Sequence, residues 1–438
     1  MTLTQGVSLR GRLDELYRFE RSGMRPGLVG VERLLELGGR PDRAFPAVLI
    51  AGTNGKGSTA AHLDSILRTA GLRTGLFTSP HLLRFHERIR VDGREIDDGT
   101  LESLLARWWP RFEQEHPSFF EATTALCFDH FAASGLDLAI VEVGLGGRLD
   151  STNILEAGLS VITTISSDHT EILGRTLRRI AIEKAGIVKR NGKLVLGVSR
   201  GVARSAILEV AAERGSSVVL LGRDARYRSR DITREGTGFW LETKSVSDLI
   251  RTPLLGFHQA RNAALAALAA ETLLAGRPRE AIERAIRGGI AGASWPGRAQ
   301  VIAGEPPVLV DAAHNVEGAA ALARTVKALL PGRPIAVVAA FSRDKAHEKI
   351  LVELGRVAGH FVLTQFSGER AMPASSLLAA VPSARDDRHA ESIPRIPDAL
   401  ERAKAWALAR GGAVLVTGSL FLVGEALPVL GSDVPRTL

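Results

Sequence analysis

The chain has 438 residues, of which 45% are hydrophobic, 24% charged and 5% aromatic, with a formal net charge of +8 and a pI of about 10.0. That length exceeds one ordinary core and implies two domains. No apolar run reaches the roughly 18 residues of a membrane span, the charged opening "MTLTQGVSLRGRLDELYRFER" lacks the apolar centre of a signal peptide, and the lone Cys127 excludes an internal disulfide and fits a reducing cytoplasm.

In chain order, "AVLIAG" (47–52) reads as a strand and "STAAHLDSILRTAG" (58–71) as a helix closed by Gly71. "RTGLFTSP" (73–80), "LDLAIVEVGLGG" (136–147) and "LSVITTISSDH" (159–169) are further strands, the second continuous enough to be buried on both faces. Residues 216–253 change character and suggest a small antiparallel insert, and "HQARNAALAALAAETLLAG" (258–276) is an alanine-rich helix. Glycines and Pro296 punctuate "GGIAGASWPGRAQ" (288–300), which marks the domain boundary. A second series of strands and helices follows, with strands in "PPVLVDAAHN", "RPIAVVAAFS", "GHFVLTQF" and "GAVLVTGS". The alternation predicts an α/β protein with two domains. A P-loop-type, mostly parallel sheet domain spans 1–295, and a smaller Rossmann-like α/β domain spans 296–438.

The stretch "VLIAGTNGKGST" (48–59) carries the first chemistry. A glycine-rich turn between strand and helix presents main-chain N–H groups backed by the helix dipole, and a lysine there reaches β- and γ-phosphates. Gly52, Gly55 and Gly57 supply the tight backbone, Lys56 the cation, and Ser58 or Thr59 the hydroxyls. The order departs from G-x-x-x-x-G-K-[ST], because Gly57 follows Lys56.

The string G-T-N-G-K-G-S resembles the folate branch of the Mur-ligase superfamily, dihydrofolate synthase and folylpolyglutamate synthase. The resemblance continues through "MRPGLVGVERLLELGG", "TSPHLLRFHERIRVDG", "SFFEATTAL", "VEVGLGGRLDSTN", "SSDHTEILG", "EKAGIVK", "WPGR", "DAAHN" and "TGSLFLVGE", in this order. It implies a ligase that uses ATP to activate a pterin-linked carboxylate as an acyl phosphate, which the amine of L-glutamate then attacks. Dihydropteroate and folates are the implied substrates, in one bifunctional enzyme that acts in the cytoplasm as a monomer, with no nucleic acid or membrane partner.

The resemblance also assigns residues. It places ATP on Gly52, Thr53, Asn54, Gly55, Lys56, Gly57 and Ser58, and on Asn262, Arg298 and Asp311 in the second half. Magnesium, as two ions, falls to Ser79, Glu142 and His169, with the lysine at 184 carbamylated as a carboxylate-like ligand. Lys184, Asp311 and His314 take the catalytic roles, with His314 orienting glutamate or helping to deprotonate it. Dihydropteroate contacts map onto Ser118, Phe119, Phe120 and Glu121, and onto Leu149, Asp150 and Ser151. Paired phenylalanines suit stacking on a flat heterocycle. One departure stands in "RDKAH", where many relatives read D-K-D and this chain has Ala346. Two rival readings are a cell-wall Mur ligase acting on a muropeptide, and a P-loop NTPase acting on nucleic acid. "SPHLLRFHERI" and "GLGGRLDSTN" oppose the first, and the absence of N-K-x-D with the unused "DAAHN" opposes the second.

Overall fold

The computed structural model describes residues 8–19, 27–381 and 389–431. The opening residues 1–7 and the first three residues of "MRPGLVG" (24–26) therefore lie outside the described residues. Eight strands form the first sheet: β1 (Ala47–Ala51), β2 (Thr74–Phe77), β3 (Ile89–Val91), β4 (Arg94–Glu95), β5 (Leu138–Glu142), β6 (Leu159–Ile162), β7 (Lys193–Leu196) and β8 (Ser217–Leu220). They lie in the order β4-β3-β2-β5-β1-β6-β7-β8. All pairs from β2 to β8 are parallel, and β3 and β4 close one edge antiparallel. Every residue of β1 and β5 is buried, as continuous apolar runs require when helices cover both faces. Among the described residues, Trp108, Phe112, Phe128 and Phe131 anchor the core on one side of this sheet.

A second sheet contains β9 (Arg226–Thr233), β10 (Gly236–Glu242) and β11 (Ser247–Thr252), in the order β11-β10-β9. Their connections are too short for a parallel crossover, so the sheet is antiparallel. The expected insert thus begins later than residue 216. The run "SVVL" pairs instead with β7 in parallel, because it is apolar enough to extend the large sheet.

The third sheet comprises β12 (Gln300–Ile302), β13 (Val308–Val310), β14 (Ile335–Ala339), β15 (Ala358–Leu363), β16 (His389–Ser392) and β17 (Ala413–Thr417). Its order is β12-β13-β17-β14-β15-β16, parallel except for β12. Insertion of the last strand between β13 and β14 makes a topological switch point, where open α/β sheets bind ligands beyond their carboxyl ends. Phe341, Phe361, Leu351 and Leu354 centre its core.

The chain divides into two compact units. One takes the described residues to Arg226 with Leu241–Asp248 and Asn262–Ile290; the other takes Tyr227–Trp240, Leu249–Arg261 and the described residues from Ala291. No helix among the described residues is long and apolar enough to cross a membrane.

Candidate active site

The phosphate-loop residues follow β1, whose carboxyl end opens between β5 and β6. The helix after it runs Lys56–Thr69, two residues earlier than the sequence predicts. Gly55 adopts φ 84°, a left-handed conformation that lets the chain turn into the helix at once, so Lys56 becomes its first residue. Lys56 Nζ donates to the Gly52 carbonyl at 3.3 Å. The loop is pinned by hydroxyls at the end of β6. Asn54 N–H donates to Thr164 Oγ1 at 2.9 Å, Thr163 Oγ1 donates to the Asn54 carbonyl at 2.7 Å, and Ser166 N–H donates to Thr53 Oγ1 at 3.0 Å. Sequence reasoning passed over Thr163, Thr164 and Ser166; the run of hydroxyls closing an apolar strand was the available signal. Asn262 lies against the loop, since a Cβ at Gly55 would come within 2.5 Å of its Oδ1.

Ser79 and Glu142 leave the neighbouring strands β2 and β5 and meet directly. Ser79 N–H donates to the buried Glu142 Oε2 at 3.2 Å. His169 stands beyond β6 with φ 50°, its Nε2 3.9 Å from Asp168 Oδ1. Among the described residues, no three His, Cys, Asp or Glu side chains gather into a metal cage. A magnesium ion takes oxygen ligands and keeps several waters, so the Glu142 carboxylate and the Ser79 hydroxyl fit it without a cage, whereas the His169 imidazole is an uncommon ligand for it. Thr59 Oγ1, in the first turn behind the loop, is fully buried without a hydrogen-bond partner among the described residues.

Lys184 lies on the helix Leu177–Ala185 and is buried. Burial pushes its amine down to about 7, Lys56 adds to the fall, and Asp168 and Asp150 oppose it. Two glycines permit this placement. A Cβ at Gly147 would approach the Lys184 carbonyl to 2.8 Å, and one at Gly186 would meet the Arg148 backbone at 2.5 Å. The "GLGGRLD" loop therefore packs backbone to backbone on the end of the lysine helix. Asp150, expected among substrate contacts, accepts from Leu145 N–H at 2.8 Å and from Thr152 N–H at 3.0 Å. Burial raises its carboxyl, while the Thr152 hydroxyl, these amides and Lys56 hold it down. It belongs to the charge cluster around Lys184. Ser151 is buried just beyond it, and the exposed Leu149 gives its carbonyl to Gly27 N–H at 3.3 Å.

"SFFE" opens the helix Phe119–Ala133 as a reciprocal cap: Glu121 N–H donates to Ser118 Oγ at 3.3 Å, and Ser118 N–H donates to Glu121 Oε2 at 2.8 Å. Phe119 is buried, with Tyr17 stacked on it at 5.5 Å and the Arg88 guanidinium 5.0 Å from its ring centre. Phe120 is less buried and packs on Gly144, where a Cβ would lie 2.6 Å from its ring. The two rings are thus unequal, and Phe120 is the more accessible.

In the second unit, Asp311 ends the strand β13 and is buried. Its Oδ2 accepts from Ala299 N–H at 2.7 Å and its Oδ1 from Ala313 N–H at 2.8 Å. Burial raises its carboxyl, and Arg298 and these amides oppose that. Ala312 N–H donates to the Gly297 carbonyl at 3.0 Å, which joins "WPGR" to "DAAHN". His314 Nδ1 is 2.9 Å from the Ala312 carbonyl. A carbonyl only accepts, so in the neutral ring the proton is on Nδ1 and the lone pair on Nε2. Asn315 caps the helix Val316–Leu329 through Gly318 N–H at 2.9 Å. Ala346 occupies the N-cap of the helix His347–Leu354, which has no side-chain cap.

Two family models match the chain, the Mur ligase middle domain over residues 50–270 and the Mur ligase glutamate ligase domain over 297–420. A dihydrofolate synthase/folylpolyglutamate synthase of Bacillus subtilis (strain 168) is 36% identical over 412 residues, 92% of this chain and 94% of that protein. The Mycobacterium tuberculosis folylpolyglutamate synthase, solved with ADP and AMPPCP, superposes with a TM-score of 0.88 at 32% identity, covering 96% and 99% of the two chains. A bifunctional folylpolyglutamate synthase/dihydrofolate synthase solved with Mn, AMPPNP and L-glutamate gives a TM-score of 0.83 at 29% identity, covering 98% of this chain and 100% of that one.

Proposed function

Because the chain belongs to the dihydrofolate synthase/folylpolyglutamate synthase family of Mur ligases, we propose that it joins L-glutamate to the carboxyl groups of both dihydropteroate and folates in an ATP-dependent reaction. The observation that carries this reading is the placement, beyond the carboxyl ends of adjacent central strands, of the loop after β1, Ser79 after β2, Glu142 at the end of β5 and Asp168–His169 after β6. A carboxylate oxygen attacks the γ-phosphorus as the bond to the bridging oxygen breaks, giving an acyl phosphate and ADP. The glutamate nitrogen then attacks the acyl carbon, phosphate leaves with the electron pair, and the amine gives up a proton.

Residues 52–58 and Lys56 hold the polyphosphate with N–H groups and positive charge. Asn262 borders the same loop, and Arg298 and Asp311 serve the nucleotide from residues 296–438. Ser79, Glu142 and His169 would hold magnesium, two ions being our reading, and magnesium would neutralise charge as the phosphoryl group transfers. Lys184, with its amine lowered to about 7, has the neutral fraction that carbamylation by carbon dioxide needs. His314 Nε2 accepts from the glutamate ammonium and takes its proton. Ser118, Phe120, Glu121 and Leu149–Ser151 border the pterin substrate, with Phe119 behind them. In this reading residues 1–295 supply the phosphate loop and the pterin residues and 296–438 take glutamate and, through Arg298 and Asp311, part of the nucleotide, in a cytoplasmic monomer that needs no nucleic acid or membrane.

The test is purified protein with magnesium-ATP, glutamate and either dihydropteroate or tetrahydrofolate, reading ADP and chromatographed products. Both pterins should be extended. Turnover with only one would reduce the proposal to a single activity, and turnover with neither would overturn it.

A further inference from the structure

The segment after β2 carries a buried polar contact that none of the assigned roles uses. Arg88 Nε–H donates to His81 Nδ1 at 2.7 Å. An arginine nitrogen only donates, so Nδ1 must present its lone pair, and the proton of the neutral ring sits on Nε2. That nitrogen lies 3.5 Å from the Tyr17 hydroxyl. Arg88 is only 4% exposed. Its guanidinium lies over Phe119, Tyr17 stacks on the same ring, and Phe85 meets it edge-on at 6.3 Å. The Arg88 carbonyl also accepts from Thr78 N–H at 3.0 Å, directly before Ser79. The imidazole therefore links the loop bearing Ser79 to the helix Leu9–Arg18 through Tyr17 and, by way of Arg88, to the first residue of the helix Phe119–Ala133. Phe119 and Phe120 are successive residues in the first turn of that helix, so what anchors the first ring anchors the backbone that carries the second.

We propose that His81 is a positioning residue for the pterin-bearing substrate. By accepting from Arg88 at Nδ1, it aims the guanidinium at Phe119 and holds the Phe119–Phe120 wall in register with the Ser79 loop. The proposal rests on the ligase reading of this site. It specifies an acceptor at the Nδ1 position, which polarity or bulk alone does not replace.

Two variants of similar polarity separate these possibilities. His81→Asn puts an amide oxygen near the Nδ1 position, whereas His81→Gln reaches toward Nε2. Loss of a buried hydrogen bond to a charged group corresponds to about a tenfold effect. In His81→Gln, KM for dihydropteroate and tetrahydrofolate should rise about tenfold with KM for ATP little changed, and His81→Asn should recover most of that loss. The Arg88 Nε–H resonance, in protein labelled at arginine Nε, should be protected from exchange in the parent and in His81→Asn but not in His81→Gln. Equal behaviour of the two variants would overturn the proposal, as would an ATP KM that rises with the pterin KM. If the parent turned over neither pterin, the ligase reading would fail on its own, and the resonance would still decide whether His81 fixes Arg88.

Discussion

Beside the loop that follows β1 a buried amine, Lys184, has a second cation, Lys56, as a neighbour and is balanced by Asp150 and Asp168. Directly after β13 of the third sheet a buried carboxylate, Asp311, is held by two main-chain N–H groups with Arg298 nearby. Both sites use a strand, a loop and a helix, yet they keep charge from water differently. Side chains balance Lys184, and its protonation changes near neutrality. Fixed amides hold Asp311, so it works as a rigid strut. The first arrangement suits a site that must gather and release anions, the second a site that must keep one shape.

Removing a charge beyond the carboxyl ends of β1 and β5 should have the largest effect. Lys56→Ala and Glu142→Ala should each lower glutamate-dependent ADP formation by about a thousandfold, with circular dichroism unchanged. Near-parental turnover in either folded variant would sink the phosphate and metal assignments. Asp311→Asn tests the strut, because its amide sets a donor against one of the two N–H donors. Denaturant unfolding should show a loss of about 3 kcal/mol; no measurable loss would mean that the amides do not need the carboxylate.

The titration of Lys184 sharpens the contrast. Its folded value near 7 lies below its ordinary 10.5, so between these values the unfolded chain binds the extra proton. The stability that Lys184 contributes therefore rises with pH from about 7 toward 10.5 and is lost as pH falls to 7. With carbon dioxide excluded so that the amine is free, the unfolding midpoint of the parent, measured against Lys184→Met, should rise between about pH 7 and pH 9; a flat difference would show that the amine is not buried as described. The smallest effect is expected at Ala346. Ala346→Asp supplies the missing cap of the helix His347–Leu354 and should add about 1 kcal/mol, read as a higher Tm. An unchanged Tm would mean that the helix start gains nothing from a side-chain acceptor.

The strand–turn–helix around residues 48–59 was legible because its strand, glycines and helix start lie within a dozen consecutive residues, where steric rules act locally. The same holds for the parallel sheets, whose buried strands show as unbroken apolar runs. "SFFE" was read as substrate contacts, and the structure shows Ser118 and Glu121 capping a helix. Asp150 was read as a substrate contact and stands in the cluster that tunes Lys184.

The alternation of buried strands with helices, the strand–turn–helix order around residues 48–59 and the residue types available were legible in the sequence, since these depend on neighbours a few positions apart; β7 and the pairing of "SVVL" with it were not. Only the tertiary structure decided that Thr163, Thr164 and Ser166 pin the loop, that Phe119 is buried while Phe120 is more open, and that Lys184 is an amine near neutrality. Those properties depend on which distant segments exclude water from a group and which charges they bring beside it. Desolvation and Coulomb interaction act through space, and only the folded chain sets those distances.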